Sequence, residues 1–249
     1  MDRDMPTEQP LTGGQASLGV VRIGSTVRRL PAPNAEFAHR LLRFLEALAF
    51  EAAPRYLGTD EQGREILSYI EGWVPPDLEY CAWSEGQLAG AARLLRQFHD
   101  AASGTELAGR HETVRHGDVG PTNMVWRDGT PIALLDFDQA GPGDRIDDVA
   151  YMGWTFVLAG RDEDGMVGTR LRARRLRFLC EAYGLHDRDG LLDAIRRQQH
   201  ATKAVVLATA KSSRNKRSPA DIRTAIGFID AEIAWLRQHE SLLAVELDD

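Results

Sequence analysis

The sequence predicts an α+β chain of two lobes, a small antiparallel sheet carrying one helix followed by a larger, mostly helical part. Three observations carry this. Short β-branched runs split by glycine-containing turns crowd the N-terminal third. Apolar residues at helical spacing fill most of the remaining chain. One strand-like interruption, at 112–140, breaks the helical region.

A polar segment with two prolines opens the chain, and residues 1–9 are expected to form a flexible leader. Strands are predicted at 10–12, 19–23 and 26–30, separated by GGQAS and by Gly24-Ser25, and the third is stopped by Pro31 and Pro33. A helix is predicted over 35–49, where Phe37, Leu41, Leu42, Leu45 and Leu48 share one face. Two further strands, 55–57 and 65–70, complete an N-terminal lobe over 10–72. The C-terminal lobe then spans 73–249, with the 114–150 segment inside it. Its first helix opens on the capping box Ser84-Glu85-Gly86-Gln87. Further helices are predicted at 145–158, 168–183, 190–210 and 219–242. The basic run 211–217 and the acidic C-terminus read as solvated.

Composition narrows the function. With 249 residues, 43% of them hydrophobic, the chain can bury a substantial core. A formal charge of −7 argues against a general nucleic-acid binder. Two cysteines, Cys81 and Cys180, without CxxC spacing, argue against a disulfide scaffold or a cysteine zinc site. The N-terminus has no apolar signal region, and no window is apolar enough for a membrane span. A cytoplasmic protein without nucleic-acid or membrane partners is expected.

The chemistry is concentrated in VRHGDVGPTNMVWRDGTPIALLDFDQAGPGDRIDDVA, residues 114–150. His116, Asp118 and Asn123 lie on a turn-rich loop, a setting more often functional than structural. Asp128-Gly129 is a strong hairpin signal between the runs 124–126 and 132–135. Closing that hairpin brings Asp136 beside Asn123, with Asp118 entering from the preceding loop. Two carboxylates and an amide converging in one place need a cation, and Mg²⁺ accepts this ligand type while leaving room for phosphates. Metal-dependent phosphoryl transfer follows.

HGDVGPTN has the Asp-to-Asn interval of a protein-kinase catalytic loop, and LLDFD supplies a later acidic residue. Together with Gly143-Asp144 through Asp148-Val149-Ala150, the stretch resembles the aminoglycoside phosphotransferase and choline kinase-like superfamily. The resemblance implies a two-lobed protein-kinase-like fold, ATP or GTP as donor, Mg²⁺, and a small-molecule hydroxyl as acceptor. It implies that Asp118 is the catalytic base, that Asn123 and Asp136 are metal ligands, and that Asp148 braces the loop. Asp138 would position substrate or metal-bound water, and His116 would orient the loop.

By the same resemblance the N-terminal lobe should cover the nucleotide. Gly13, Gly14 and Ser17 stand where a phosphate loop would lie, although an ordinary hairpin turn fits them equally. Residues 1–202 contain no lysine, so the strand cation must be an arginine. Arg29 shares a strand face with Val27 and is preferred over Arg28. Glu36 and His39 on the helix are candidates for its partner, with a simple capping role the stronger reading for Glu36. Ser68, Tyr69 and Ile70 stand where a hinge would meet the adenine. Two rival readings remain: a catalytically weak nucleotide- or ligand-binding protein, suggested by the missing lysine, and a metal-dependent hydrolase using the same carboxylates.

Overall fold

The computed structural model describes residues 7–11, 19–76, 83–160, 165–211 and 218–248. Gly13, Gly14 and Ser17, Cys81 and most of the basic run lie outside the described residues. The chain packs as two compact units, one of Met1–Tyr80 with Arg93–Arg145 and one of Cys81–Ala92 with Ile146–Asp249.

In the first unit a five-stranded antiparallel sheet has the order β1-β2-β3-β5-β4, from β1 (Gln9–Pro10), β2 (Val21–Ile23), β3 (Thr26–Arg29), β4 (Tyr56–Thr59) and β5 (Glu65–Ser68). The expected leader therefore ends early, because Gln9 already pairs with Arg22. Gly24, at φ 61°, turns β2 into β3. The Asp60 side chain closes the β4–β5 turn by accepting from the backbone N–H groups of Gln62 and Arg64. Helix α1 (Ala35–Ala47) buries Leu41, Leu42 and Leu45 of the predicted stripe, whereas Phe37 is half-buried and Leu48, at the C-cap, is exposed.

The same unit carries β6 (Thr113–Arg115), β7 (Met124–Arg127), β8 (Thr130–Leu134) and β9 (Gly141–Gly143). β7 and β8 form the predicted hairpin. Its turn residues Asp128 and Gly129 both have positive φ (50° and 75°), as the twist of a two-residue hairpin demands. β6 pairs with β9, a short ladder that periodicity did not reveal. Gly72 packs tightly against β7: a Cβ there would lie 2.7 Å from the Trp126 carbonyl oxygen. That approach lets Trp73 and Trp126 exchange backbone hydrogen bonds.

Helix α2 (Glu85–Ala102) opens on the expected capping box. The Ser84 N–H donates to Gln87 Oε1 and the Gln87 N–H donates to Ser84 Oγ. The second unit adds α3 (Arg145–Gly153), α4 (Gly165–Tyr183), α5 (Leu191–Ala210) and α6 (Pro219–Asp248). α3 does not continue as an α-helix to 158; it widens into a π-turn over Trp154–Leu158. The described part of the acidic segment 245–249 is also not a free tail. α6 reaches Asp248, buries Leu243 and Leu247, and its Glu246 pairs with Arg170 at 3.1 Å. No helix among the described residues is long and apolar enough to cross a membrane.

Glu232 of α6 is buried below the π-turn, accepting from Trp154 Nε1 (3.2 Å) and the Gly160 N–H (3.3 Å). Burial outweighs these donors and pushes its carboxyl up to about 6 from an ordinary 4.5. The native state therefore holds more protons than the unfolded chain between those pH values, so this group favours folding at low pH. Its contribution is lost as pH rises through 6, by about 2 kcal/mol. Thermal melting against pH should show this decline in the wild type, and Glu232→Gln should remove it. Parallel profiles for the two proteins would disprove the assignment.

Candidate active site

His116, Asp118 and Asn123 lie within the first unit, on the loop that follows β6 and is framed by the β7–β8 hairpin. His116 is fully buried. Its Nε2–H donates to the Leu135 carbonyl (2.9 Å), and its Nδ1 accepts from the Asp118 N–H (3.3 Å). These two bonds fix one neutral tautomer and leave the ring an orienting position. It packs against Phe137, ring centroids 4.7 Å apart.

Asn123 closes a short 3₁₀ turn, Pro121–Asn123, and its Nδ2–H donates to the Asp118 carbonyl oxygen at 2.8 Å. The Asp118 backbone is thus held at its N–H by His116 and at its carbonyl by Asn123. Such double anchoring preorganises the half-buried Asp118 side chain through its backbone. With Nδ2 so engaged, Oδ1 is the part of the Asn123 side chain able to accept. The Leu135 N–H donates to the Asn123 carbonyl (2.8 Å), so Asp136 directly follows a residue bonded to Asn123. This is the juxtaposition expected from the hairpin.

Gly117 makes the loop possible. It sits at φ 82°, and a Cβ there would lie 2.4 Å from the Gln139 carbonyl oxygen. Gly117→Ala is expected to cost about 2–4 kcal/mol from backbone strain plus overpacking. Urea unfolding measures this, and a loss below about 1 kcal/mol would show that the two segments separate easily.

Arg29, the last residue of β3, joins the acidic groups. Its Nη1 donates to Asp136 Oδ1 (2.8 Å) and its Nη2 to Asp138 Oδ1 (2.5 Å), while its Nε donates to Glu65 Oε1. Arg28 points elsewhere, toward Thr26 Oγ1 and Asp60. The face assigned to Arg29 by alternation from Val27 is the one that meets Asp136. Burial disfavours the guanidinium charge, but Asp136, Asp138 and Glu65 more than offset it and raise the Arg29 pKa, so the side chain stays charged. For Asp138, burial and then the Asp136 charge push the carboxyl up to about 7, with Arg29 opposing. One guanidinium cannot balance the three carboxyl groups around it, and a divalent cation would offset the negative charge they retain. Two carboxylates and an amide oxygen are hard donors, which suits Mg²⁺ better than a softer metal.

The helix partner of Arg29 differs from the sequence candidates. Glu36 is exposed in the first turn of α1. Glu65 on β5, directly opposite Arg29 in the β3–β5 ladder, supplies the carboxylate instead. Its other oxygen accepts from His39 Nε2 at 2.6 Å. Sequence reasoning missed Glu65 because a strand-initial glutamate reads as solvent-facing; the cross-strand pairing of β3 and β5 was the signal that would have found it.

Of the hinge candidates, Ser68 ends β5, and its Oγ accepts from the Arg55 N–H (2.8 Å). The Tyr69 N–H donates to the Ser25 carbonyl (2.9 Å), and the Arg22 guanidinium stacks on the Tyr69 ring at 3.8 Å. Ile70 is next in the chain, half-buried. The polar groups named at Ser68 and Tyr69 already have partners within the lobe. Asp148 is buried on α3 in the second unit.

Comparison with known proteins gives a consistent picture. A model of the phosphotransferase enzyme family APH matches residues 102–192. The trifolitoxin immunity protein of Rhizobium leguminosarum bv. trifolii is 32% identical over 270 residues, covering 98% of this chain and 100% of that protein. Among solved structures, a choline/ethanolamine kinase family protein from Mesorhizobium loti aligns with a TM-score of 0.63 at 16% identity, over 98% of this chain and 93% of that one. A spectinomycin phosphotransferase, solved with ADP and spectinomycin, aligns with a TM-score of 0.62 at 12% identity, over 93% of each chain. At such identities these two likenesses show the fold, a kinase-like one.

Proposed function

Because the chain belongs to the phosphotransferase enzyme family, we propose that it transfers the γ-phosphoryl group of ATP or GTP to a hydroxyl of a small molecule. The observation that carries this reading is the anchoring of Asp118 by His116 and by Asn123, whose carbonyl accepts from the N–H of Leu135, the residue before Asp136. Asp118 takes the acceptor's proton as the hydroxyl oxygen bonds to the γ-phosphorus and the bond to the bridging β–γ oxygen breaks. The nucleoside diphosphate leaves with the electron pair. Asn123 Oδ1 and Asp136 would hold Mg²⁺, with Asp138 next to it, and the ion supplies charge neutralisation on the phosphate oxygens. Arg29 presents a planar fork to the same phosphates, a role suited to guanidinium geometry. Most of the acceleration then comes from positioning and electrostatics.

The acceptor is set by chemistry rather than fold, so the test is a screen. The purified protein is incubated with ATP or GTP and Mg²⁺, and product mass is read for addition of one phosphoryl group. Trifolitoxin, spectinomycin, aminoglycosides, and choline- and sugar-type alcohols form the panel, because the relatives are named for several of these. Phosphorylated product that disappears without Mg²⁺ supports the reading. Nucleotide hydrolysis without any acceptor product counts against it and favours a hydrolase.

One observation favours a second reading, a nucleotide- or ligand-binding protein of weak activity. Arg29 engages both Asp136 and Asp138, so the carboxylates proposed for the metal already share one cation. That reading predicts nucleotide-dependent melting without turnover on any acceptor.

A further inference from the structure

The three edges of the Arg29 guanidinium are not equivalent. Its Nε edge faces Glu65, a carboxylate with nowhere to go. The Glu65 side chain is only 3% exposed, its backbone is registered opposite Arg29 across β3 and β5, and its second oxygen is tied to His39 of α1. His39 is itself fixed, stacked on Tyr56 with ring centroids 3.7 Å apart. The Nη1 and Nη2 edges face Asp136 and Asp138, whose side chains are 28% and 22% exposed. Phosphate oxygens match carboxylate oxygens in charge and in fork geometry, so they are natural replacements on those two edges.

We propose that Glu65, held by His39, is a positioning residue for nucleotide phosphate. It anchors Arg29 through Nε, so that Nη1 and Nη2 pass from Asp136 and Asp138 to the phosphates of a nucleoside triphosphate when a divalent cation takes those carboxylates. The exchange balances charge: the cation replaces the guanidinium on the aspartates, and the phosphates replace the aspartates on the guanidinium. A strand carboxylate and a helix histidine thereby perform the bracing that a helix glutamate was expected to provide. Without Glu65 the guanidinium follows the aspartates and competes with the cation instead of serving the phosphates. This inference rests on the nucleotide-dependent reading above.

The test is a double-mutant cycle read by calorimetric titration with Mg·ATP, and with Mg·GTP in parallel, alongside melting of each variant without nucleotide. Glu65→Gln is expected to weaken binding about tenfold, equivalent to about 1.4 kcal/mol, with a smaller loss for His39→Gln. In an Arg29→Ala background Glu65→Gln should add nothing further, because the residue it positions is gone. A purely structural Glu65 predicts a lowered melting temperature and the same loss in both backgrounds, which would overturn the proposal. So would unchanged affinity in a folded Glu65→Gln protein. Should Glu65→Gln not fold, Arg29→Lys decides: it keeps the charge but has no second edge, so the same loss is expected and unchanged affinity refutes the inference. Wild-type binding of Mg·ATP without phosphorylation of any acceptor overturns the transfer reaction alone, and the cycle still decides the role of Glu65. A wild-type chain that binds neither nucleotide overturns both.

Discussion

Asp118→Asn is expected to lower turnover by roughly 10²–10⁴-fold, the usual contribution of a positioned general base, while leaving nucleotide affinity and melting temperature close to wild type. The geometry separates these quantities. The His116 and Asn123 bonds hold residue 118 through its backbone, and neither depends on the side chain being a carboxylate. Asparagine matches aspartate in size but cannot take the acceptor's proton at neutral pH. The groups proposed to meet the nucleotide, Arg29 with Asp136 and Asp138, lie outside that pair of bonds. Steady-state turnover on an acceptor from the screen, with calorimetry and melting on the same preparation, provides the measurement. Wild-type turnover in the variant would remove Asp118 from the catalytic role. Loss of fold would instead make it a structural carboxylate.

Much of this site was legible in the sequence, because its parts are local and their spacing is informative. Asp128-Gly129 sets the hairpin turn, and a two-residue turn fixes which residues of β7 and β8 meet. The approach of Asp136 to Asn123 follows from residues 123–136 alone. Arg29 was reached by period-two alternation, which holds because β3 is paired on both edges and cannot slip. What stayed hidden depends on distant partners. Glu65 is buried because Arg29 lies across the ladder and His39 lies above it, and no periodicity within its own strand carries that information. β6 and β9 are three-residue strands, the second written Gly-Pro-Gly, which has no strand character by itself. The acidic C-terminus read as solvated on the strength of its closing charges. Leu243 and Leu247 keep the helical spacing, however, and Arg170 takes up the charge of Glu246. The π-turn at Trp154–Leu158 falls in a mostly apolar run in which the α and π periods cannot be told apart.

Asp136→Asn is expected to abolish the Mg²⁺ dependence of nucleotide binding, with affinity in Mg²⁺ falling at least about tenfold. Asparagine is the informative substitution because Asp136 occupies the left-handed region, φ 62° and ψ 66°. Aspartate and asparagine tolerate that conformation better than other residues with a Cβ, so the amide changes the charge without adding backbone strain. Alanine would change both at once. The expected sign reverses when Mg²⁺ is chelated. Loss of the Asp136 charge weakens its hold on Nη1 of Arg29, 2.8 Å away in the wild type, and makes that guanidinium edge easier for phosphate to take. Metal-free affinity should therefore hold or rise in the variant while metal-dependent affinity falls. Calorimetric titration of both proteins with ATP, in Mg²⁺ and in excess chelator, gives the four affinities needed. Equal wild-type affinity in the two conditions, or an Asp136→Asn loss of the same size in both, would take Asp136 out of the metal's coordination and leave it only as a counter-charge for Arg29.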